Sequence, residues 1–137
     1  MADITITAAS VVPGGGATIN YGTAGASVTA GQVAYLDSRT GPYKPADCAS
    51  ATAAARSPVG IALHASASGQ PLAVQTSGLI TIGATVTAGV GYYLSGTAGG
   101  ICPVADLATG DYPTFLGFAT TAAILKLNIQ ESGVALA

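Results

Sequence analysis

Charge is what this sequence has least of. Only 10 of its 137 residues are Asp, Glu, Lys or Arg, and the net charge is -2, whereas a well-solvated small domain carries roughly a quarter to a third charged residues. Much of the outside is therefore expected to face something other than water. Lys and Arg together number 4, too few for the basic footprint that nucleic-acid binding requires, so no nucleic-acid partner is expected. Nowhere do 18 predominantly large apolar residues run together, which excludes a membrane-spanning helix. The start Met1-Ala2-Asp3-Ile4-Thr5 lacks the basic and apolar regions of a secretory signal, and synthesis and folding in the cytoplasm are the expectation.

Chemistry-bearing side chains are equally sparse. The two cysteines, Cys48 and Cys102, form neither a disulfide framework nor a Cys-x-x-Cys pair and read as ordinary thiols, with a bridge as the other reading. The one histidine, His64, lies in Val59-Gly60-Ile61-Ala62-Leu63-His64, where alternation puts it on a half-buried strand. A packed or edge residue is the plainer reading there; the catalytic one needs a carboxylate and an exposed nucleophile, and no Gly-x-Ser-x-Gly elbow presents a serine. The acids Asp3, Asp37, Asp47, Asp106, Asp111 and Glu131 are scattered singly, without the spacing of calcium or zinc ligands. Gly14-Gly15-Gly16 lacks the lysine of a phosphate loop and reads as a turn or linker. Neither a catalytic site nor a cofactor or metal site is expected.

Small residues are what is there in abundance. Ala 28, Gly 19, Thr 16 and Ser 10 make up 73 of 137 residues, and Leu, Ile, Val and Phe supply 31, just above the level at which a chain fails to bury enough apolar surface to fold. The strongest pattern is internal. Gly25-Ala26-Ser27-Val28-Thr29-Ala30-Gly31-Gln32-Val33-Ala34-Tyr35-Leu36 matches Gly83-Ala84-Thr85-Val86-Thr87-Ala88-Gly89-Val90-Gly91-Tyr92-Tyr93-Leu94 at 8 of 12 positions. Val59-Gly60-Ile61-Ala62 then matches Leu116-Gly117-Phe118-Ala119, and Leu72–Gly78 is set against Leu127–Gly133, in the same order. Residues 25–82 and 83–137 are read as two copies of one unit with no linker between them, sharing one core and preceded by an arm, residues 1–24.

Within each unit, Gln32–Leu36 and Val90–Leu94, Gly60–His64 and Gly117–Thr121, and Leu72–Thr76 and Leu125–Ile129 read as short strands. Thr-Ala-Gly at 29–31 and 87–89 reads as a turn, the glycines of Thr-Ser-Gly-Leu-Ile and Glu-Ser-Gly-Val-Ala as bends between strands, and residues 37–42 and 95–100 as hairpin loops. Ala49–Arg56 is the one helical stretch, with Asp47 as N-cap, and at most two turns are expected. The fold class expected is all-β: a small β-sandwich or barrel built from two copies of one short-strand unit behind an extended N-terminal arm.

Carrying "VTAGQVAYLD…G…VGIALHASASGQPLAVQTSG", the paired unit resembles the capsid decoration, or cement, proteins of tailed bacteriophages and related small phage head proteins. The resemblance covers residues 25–137. It implies a non-enzymatic virion protein on the outer face of an expanded capsid, with the major capsid protein as partner and a homo-oligomer, a trimer above all, as the working form. Such proteins often reach the capsid with an N-terminal arm, and Asp3, Ile4, Thr5, Ile6 and Thr7, which alternate like a free edge strand, are the capsid-contact candidates. Deleting Met1–Gly16 would then leave a soluble β-rich body that no longer binds capsids. The other reading is a head fibre, vertex spike or tail-tip domain, with exposed residues among Tyr21, Tyr35, Tyr43, Tyr92, Tyr93 and Tyr112 forming a glycan-binding surface; strand packing is the plainer fate of those rings.

Overall fold

A Thr-Ala-Gly turn starts the first strand of each half. The Gln32 N–H donates to the Thr29 carbonyl at 3.2 Å, and the Val90 N–H to the Thr87 carbonyl at 3.1 Å. A computed structural model of the chain describes residues 4, 6–36, 42–48, 53–96, 98–103, 107 and 109–131. The strands are β1 (Val11–Pro13), β2 (Thr18–Thr23), β3 (Val33–Leu36), β4 (Tyr43–Pro45), β5 (Gly60–Ala62), β6 (Pro71–Ile82), β7 (Gly91–Leu94), β8 (Ile101–Pro103), β9 (Thr114–Ala119) and β10 (Ile124–Glu131). All lie in one antiparallel sheet in the order β4-β3-β5-β6-β10-β9-β7-β8, with β1 and β2 also paired to β6. The sheet curls into a half-barrel, in keeping with the small all-β fold expected.

The order reads alike from both edges, and residues matched in sequence hold matched places in the ladders. Ala34 faces Pro45 and Gly60 as Tyr92 faces Pro103 and Gly117. The loop bonds repeat as well: Gly31 N–H to the Ala62 carbonyl and Gly89 N–H to the Ala119 carbonyl, both 2.8 Å. The fourth strand departs from the sequence match. Val74 pairs with Ala62 as Leu125 pairs with Ala119, so Val74 answers to Leu125, and the Leu72–Leu127 match is out of register. The cause is the hairpin before it, which is six residues shorter in the second half.

Gly60 and Gly117 hold each half together by having no side chain. A Cβ on Gly60 would stand 2.5 Å from the Gln75 carbonyl oxygen, and one on Gly117 would overlap the Lys126 carbonyl. Neighbouring backbones are thus in direct contact at the one glycine of each Val/Leu-Gly-Ile/Phe-Ala phrase. Gly78 makes its bend inside a strand, not between strands. With φ +92 it kinks β6, whose first part lies between β2 and β5 and whose last part lies beside β1 and β10. The buried Gln75 amide braces the kink, donating to the carbonyls of Ser77 and Leu79 at 3.0 and 2.8 Å.

Two clusters make the interior. The smaller lies within the first half: Ala24, Val28, Ala34, Tyr43, Ala62, Leu72 and Val74. The larger joins Tyr92, Leu94, Ile101, Leu116 and Leu125 of the second half to Val33, Tyr35, Ala46, Cys48, Ile61, Ile80 and Ile82 of the first. Alternation along β3 therefore feeds two cores, Ala34 into one and Val33 and Tyr35 into the other. The helical stretch is reduced to a single 3-10 turn, Ala53–Arg56, residues 49–52 lying outside the described residues. The described residues of the N-terminal 24 lie against the sheet: β1 and β2 pair with β6, and Ile4 and Ile6 pack on the larger core.

Candidate functional site

His64 sits on an exposed hairpin, past the end of β5, not on a half-buried strand. Its Nε2 accepts the Ala73 N–H at 3.1 Å, and its Nδ1 lies 3.0 Å from the Ala65 carbonyl oxygen. Those partners assign the tautomer: Nδ1 carries the proton and donates to Ala65. Both ring nitrogens thus serve backbone, and the ring latches Ala65 of the turn to Ala73 of β6.

Cys48, Arg56, Asp111, Tyr112 and Thr114 gather where the two halves meet. The Cys48 N–H donates to the Ser95 carbonyl at 3.1 Å, and the Tyr112 N–H donates to the Cys48 carbonyl at 2.9 Å. The Arg56 guanidinium stands 3.7 Å over the Tyr112 ring, and the Thr114 hydroxyl reaches the Arg56 carbonyl at 3.3 Å. Asp111 is buried here. Cys48 and Cys102 are both buried free thiols, which settles the disulfide question against a bridge in this structure. Burial above all, then the charges of Asp111, Cys102 and Asp47 and a hydrogen bond with Asp111, push the Cys48 thiol up to about 12. A thiol held that high is no nucleophile at neutral pH. Among the described residues no three His, Cys, Asp or Glu side chains gather as a metal site.

The Cys48 environment has a measurable consequence at alkaline pH. A folded-state value raised to about 12 means that the native chain keeps a proton the unfolded chain releases near pH 9. The stabilisation is complete below that pH and is lost as pH rises toward 12, with a slope of at most about 1.4 kcal/mol per pH unit. Tyr43, also raised by burial, adds to the same loss above pH 10. The urea midpoint is expected to hold from pH 7 to 8.5 and to fall steadily by pH 11. In Cys48→Ala the fall between pH 9 and 10 should flatten; an unchanged profile would remove Cys48 as its source.

Two surface features stand out. Beside the mouth of the first half is an open groove of about 690 Å³, formed by Tyr21–Gly25, Leu36, Pro42–Lys44 and Ser68–Gly69. The Tyr21 ring stands 80% exposed at its edge. On the outer face of the second half, Tyr93, Phe115 and Phe118 form a ladder of edge-to-face rings with centroids 5.5 and 4.9 Å apart, and Phe118 is 54% exposed. Of the six tyrosines weighed for a glycan surface, Tyr35, Tyr43 and Tyr92 are buried and Tyr93 and Tyr112 are half-buried. Only Tyr21 stands out in solvent. The groove had a sequence signal in Tyr21-Gly22: a Cβ on Gly22 would sit 2.6 Å from the Tyr43 ring, so this glycine seats the aromatic floor. Phe118 had none, since its counterpart Ile61 is fully buried.

Of the five capsid-contact candidates, Asp3 and Thr5 lie outside the described residues. Ile4, Ile6 and Thr7 form a strap across both halves. The Ile4 N–H donates to the Ile101 carbonyl at 2.9 Å and the Thr7 N–H to the Gly83 carbonyl at 2.7 Å, while a Cβ on Gly31 would stand 2.5 Å from the Ile6 side chain. The first half closes the matched position directly, Gly25 N–H to the Tyr43 carbonyl at 2.8 Å. The chain matches no protein-family model, and no curated protein matches it in sequence.

Proposed function

We propose that this chain is a non-enzymatic structural protein of a tailed-phage virion, bound to the outside of the expanded capsid as a decoration protein that stabilises the shell, with the major capsid protein as partner and a trimer as its working form. The observation that carries this reading is a β-surface almost without charge, 10 charged residues in 137. It displays Val12, Tyr21 and Phe118 at 52%, 80% and 54% exposure. Such a surface can be covered by partners without a large cost for stripping water from ions, and weak contacts repeated on a lattice add through avidity.

In this reading Asp3–Thr7 is the capsid contact, with a constraint from the seat of Ile4, Ile6 and Thr7 on the body. Ile4 and Thr7 already spend their N–H groups on Ile101 and Gly83. A capsid strand must therefore take the outward edge of the strap or lift it away. Deleting Met1–Gly16 would remove β1 and its three pairs with β6, so it tests the sheet as much as the capsid contact.

A second reading is favoured by the groove at Tyr21. An exposed ring beside Thr23, Ser68 and Lys44 offers a stacking face and polar groups for a sugar, as a head fibre, vertex spike or tail-tip domain binding host-surface glycans would. Copy number separates the readings. Quantitative mass spectrometry of purified virions, referenced to the major head protein, is expected to give hundreds of copies per particle. A few to a few tens would favour the fibre, spike or tail reading, and none would sink both.

A further inference from the structure

The two halves use the same outer face in different ways. In the first half that face is Val33, Tyr35, Pro58 and Ile61; matched sequence and ladder registers set them against Gly91, Tyr93, Phe115 and Phe118 of the second. Val33 and Ile61 are 0% exposed and Tyr35 is 8% exposed, because they belong to the larger core with Leu94, Ile101 and the rest of the second half. Between β7 and β8, Ser95 and Gly99 bond to the first half beside this face. The Gly99 carbonyl takes the Val33 N–H at 3.0 Å, the Gly99 N–H donates to the Ala46 carbonyl at 2.6 Å, and the Ser95 carbonyl takes the Cys48 N–H. The matched face of the second half has nothing of the kind over it among the described residues. It presents the Tyr93–Phe115–Phe118 ladder, Phe118 54% exposed where Ile61 is sealed.

The covering element has a counterpart too. By ladder register, Leu94 and Ile101, paired across β7 and β8, answer to Leu36 and Tyr43, paired across β3 and β4, and with Pro42 these two line the open groove of the first half beside Tyr21. One half carries a face without a cover, and the other carries a cover without a face.

We propose that the aromatic face of the second half docks on the Leu36–Pro42–Tyr43 groove of the first half of another copy of this chain, repeating between molecules the contact made within one. The contact is head to tail, so two different surfaces meet at every junction and the assembly closes as a ring when the rotation allows it. The buried centre is aromatic and uncharged, the composition that interface hot spots favour. The inference goes beyond the capsid reading and needs no capsid, so it stands or fails in a solution of the pure chain.

Two substitutions on opposite halves test it, both at exposed side chains. Sedimentation velocity of the full chain is expected to show a concentration-dependent closed oligomer. Phe118→Asp and Tyr21→Asp should each weaken self-association by at least about thirty-fold, the weight of one hot-spot residue, with the melting of the monomer unchanged. Each variant keeps one intact surface, so an equimolar mixture of F118D and Y21D should give one-to-one heterodimers and no ring. A wild-type chain that stays monomeric at hundreds of micromolar overturns the proposal. So does a Phe118→Asp chain that still assembles. If Y21D assembles as well as wild type while F118D does not, the aromatic face meets its own copy and the head-to-tail contact is wrong. Should either aspartate variant fail to fold, Phe118→Ser and Tyr21→Ser carry the same test.

Discussion

Gly117→Ala is expected to lower the melting temperature by about 10 °C. The added Cβ would overlap the carbonyl oxygen of Lys126 and stand 2.9 Å from its carbonyl carbon. Both belong to backbone held by the β10–β9 and β10–β6 ladders, so no side chain can swing aside. Overpacking of this kind costs typically 1–3 kcal/mol, and its seat against backbone argues for the upper end. For a domain of this size about 3 kcal/mol corresponds to roughly 10 °C. Gly60→Ala meets the Gln75 carbonyl at 2.5 Å, a less severe approach, and should cost less. Differential scanning calorimetry of the two variants checks the order; a Gly117→Ala protein melting within 2 °C of wild type would show that β9 and β10 can part without penalty.

Gly78→Ala is expected to cost about as much, by a different route. Alanine in a left-handed conformation loses about 1–2 kcal/mol by itself, and here φ is +92. The new Cβ would also overlap the Gly16 carbonyl and lie 2.7 Å from the Ala17 nitrogen, driving the β1–β2 connection off β6. Together these put the loss at about 3 kcal/mol. Its location should be local: hydrogen exchange is expected to rise first at Val11–Thr23 while β7–β9 stay protected. Uniform loss of protection across both halves would mean that the kink is a determinant of the entire sheet.

Much of this architecture was legible from one line of sequence because its cues are local. Thr-Ala-Gly at 29–31 and 87–89 specifies a turn, the Val-Tyr-Leu runs after it specify strands, and the matched phrases name the strands that occupy matched places. The fourth strand was misaligned for an equally local reason. Leu72–Gly78 and Leu127–Gly133 look alike, but the ladder partner, Ala62 or Ala119, decides equivalence, and hairpin length sets which residue arrives opposite it. Among candidate sites, alternation places His64 on a half-buried strand, whereas it stands on an exposed hairpin where its imidazole latches backbone. The strap formed by Ile4, Ile6 and Thr7 alternates like an edge strand, yet nothing near it in the chain says that Gly31, Gly83 and Ile101 will receive it.

By itself, then, the sequence determined the class of protein: all-β, glycine-turned, poor in charge and poor in catalytic side chains. Composition and short-range pattern carry that information because turns, pleats and side-chain chemistry depend on a few neighbouring residues. Tertiary structure alone decided which of two matched residues is core and which is surface. Ile61 and Phe118 occupy the same place in the same phrase, and one is sealed while the other stands half exposed. The difference is the second half of the chain, which lies over the first; burial depends on what arrives from far away in sequence, and a local pattern carries no record of that.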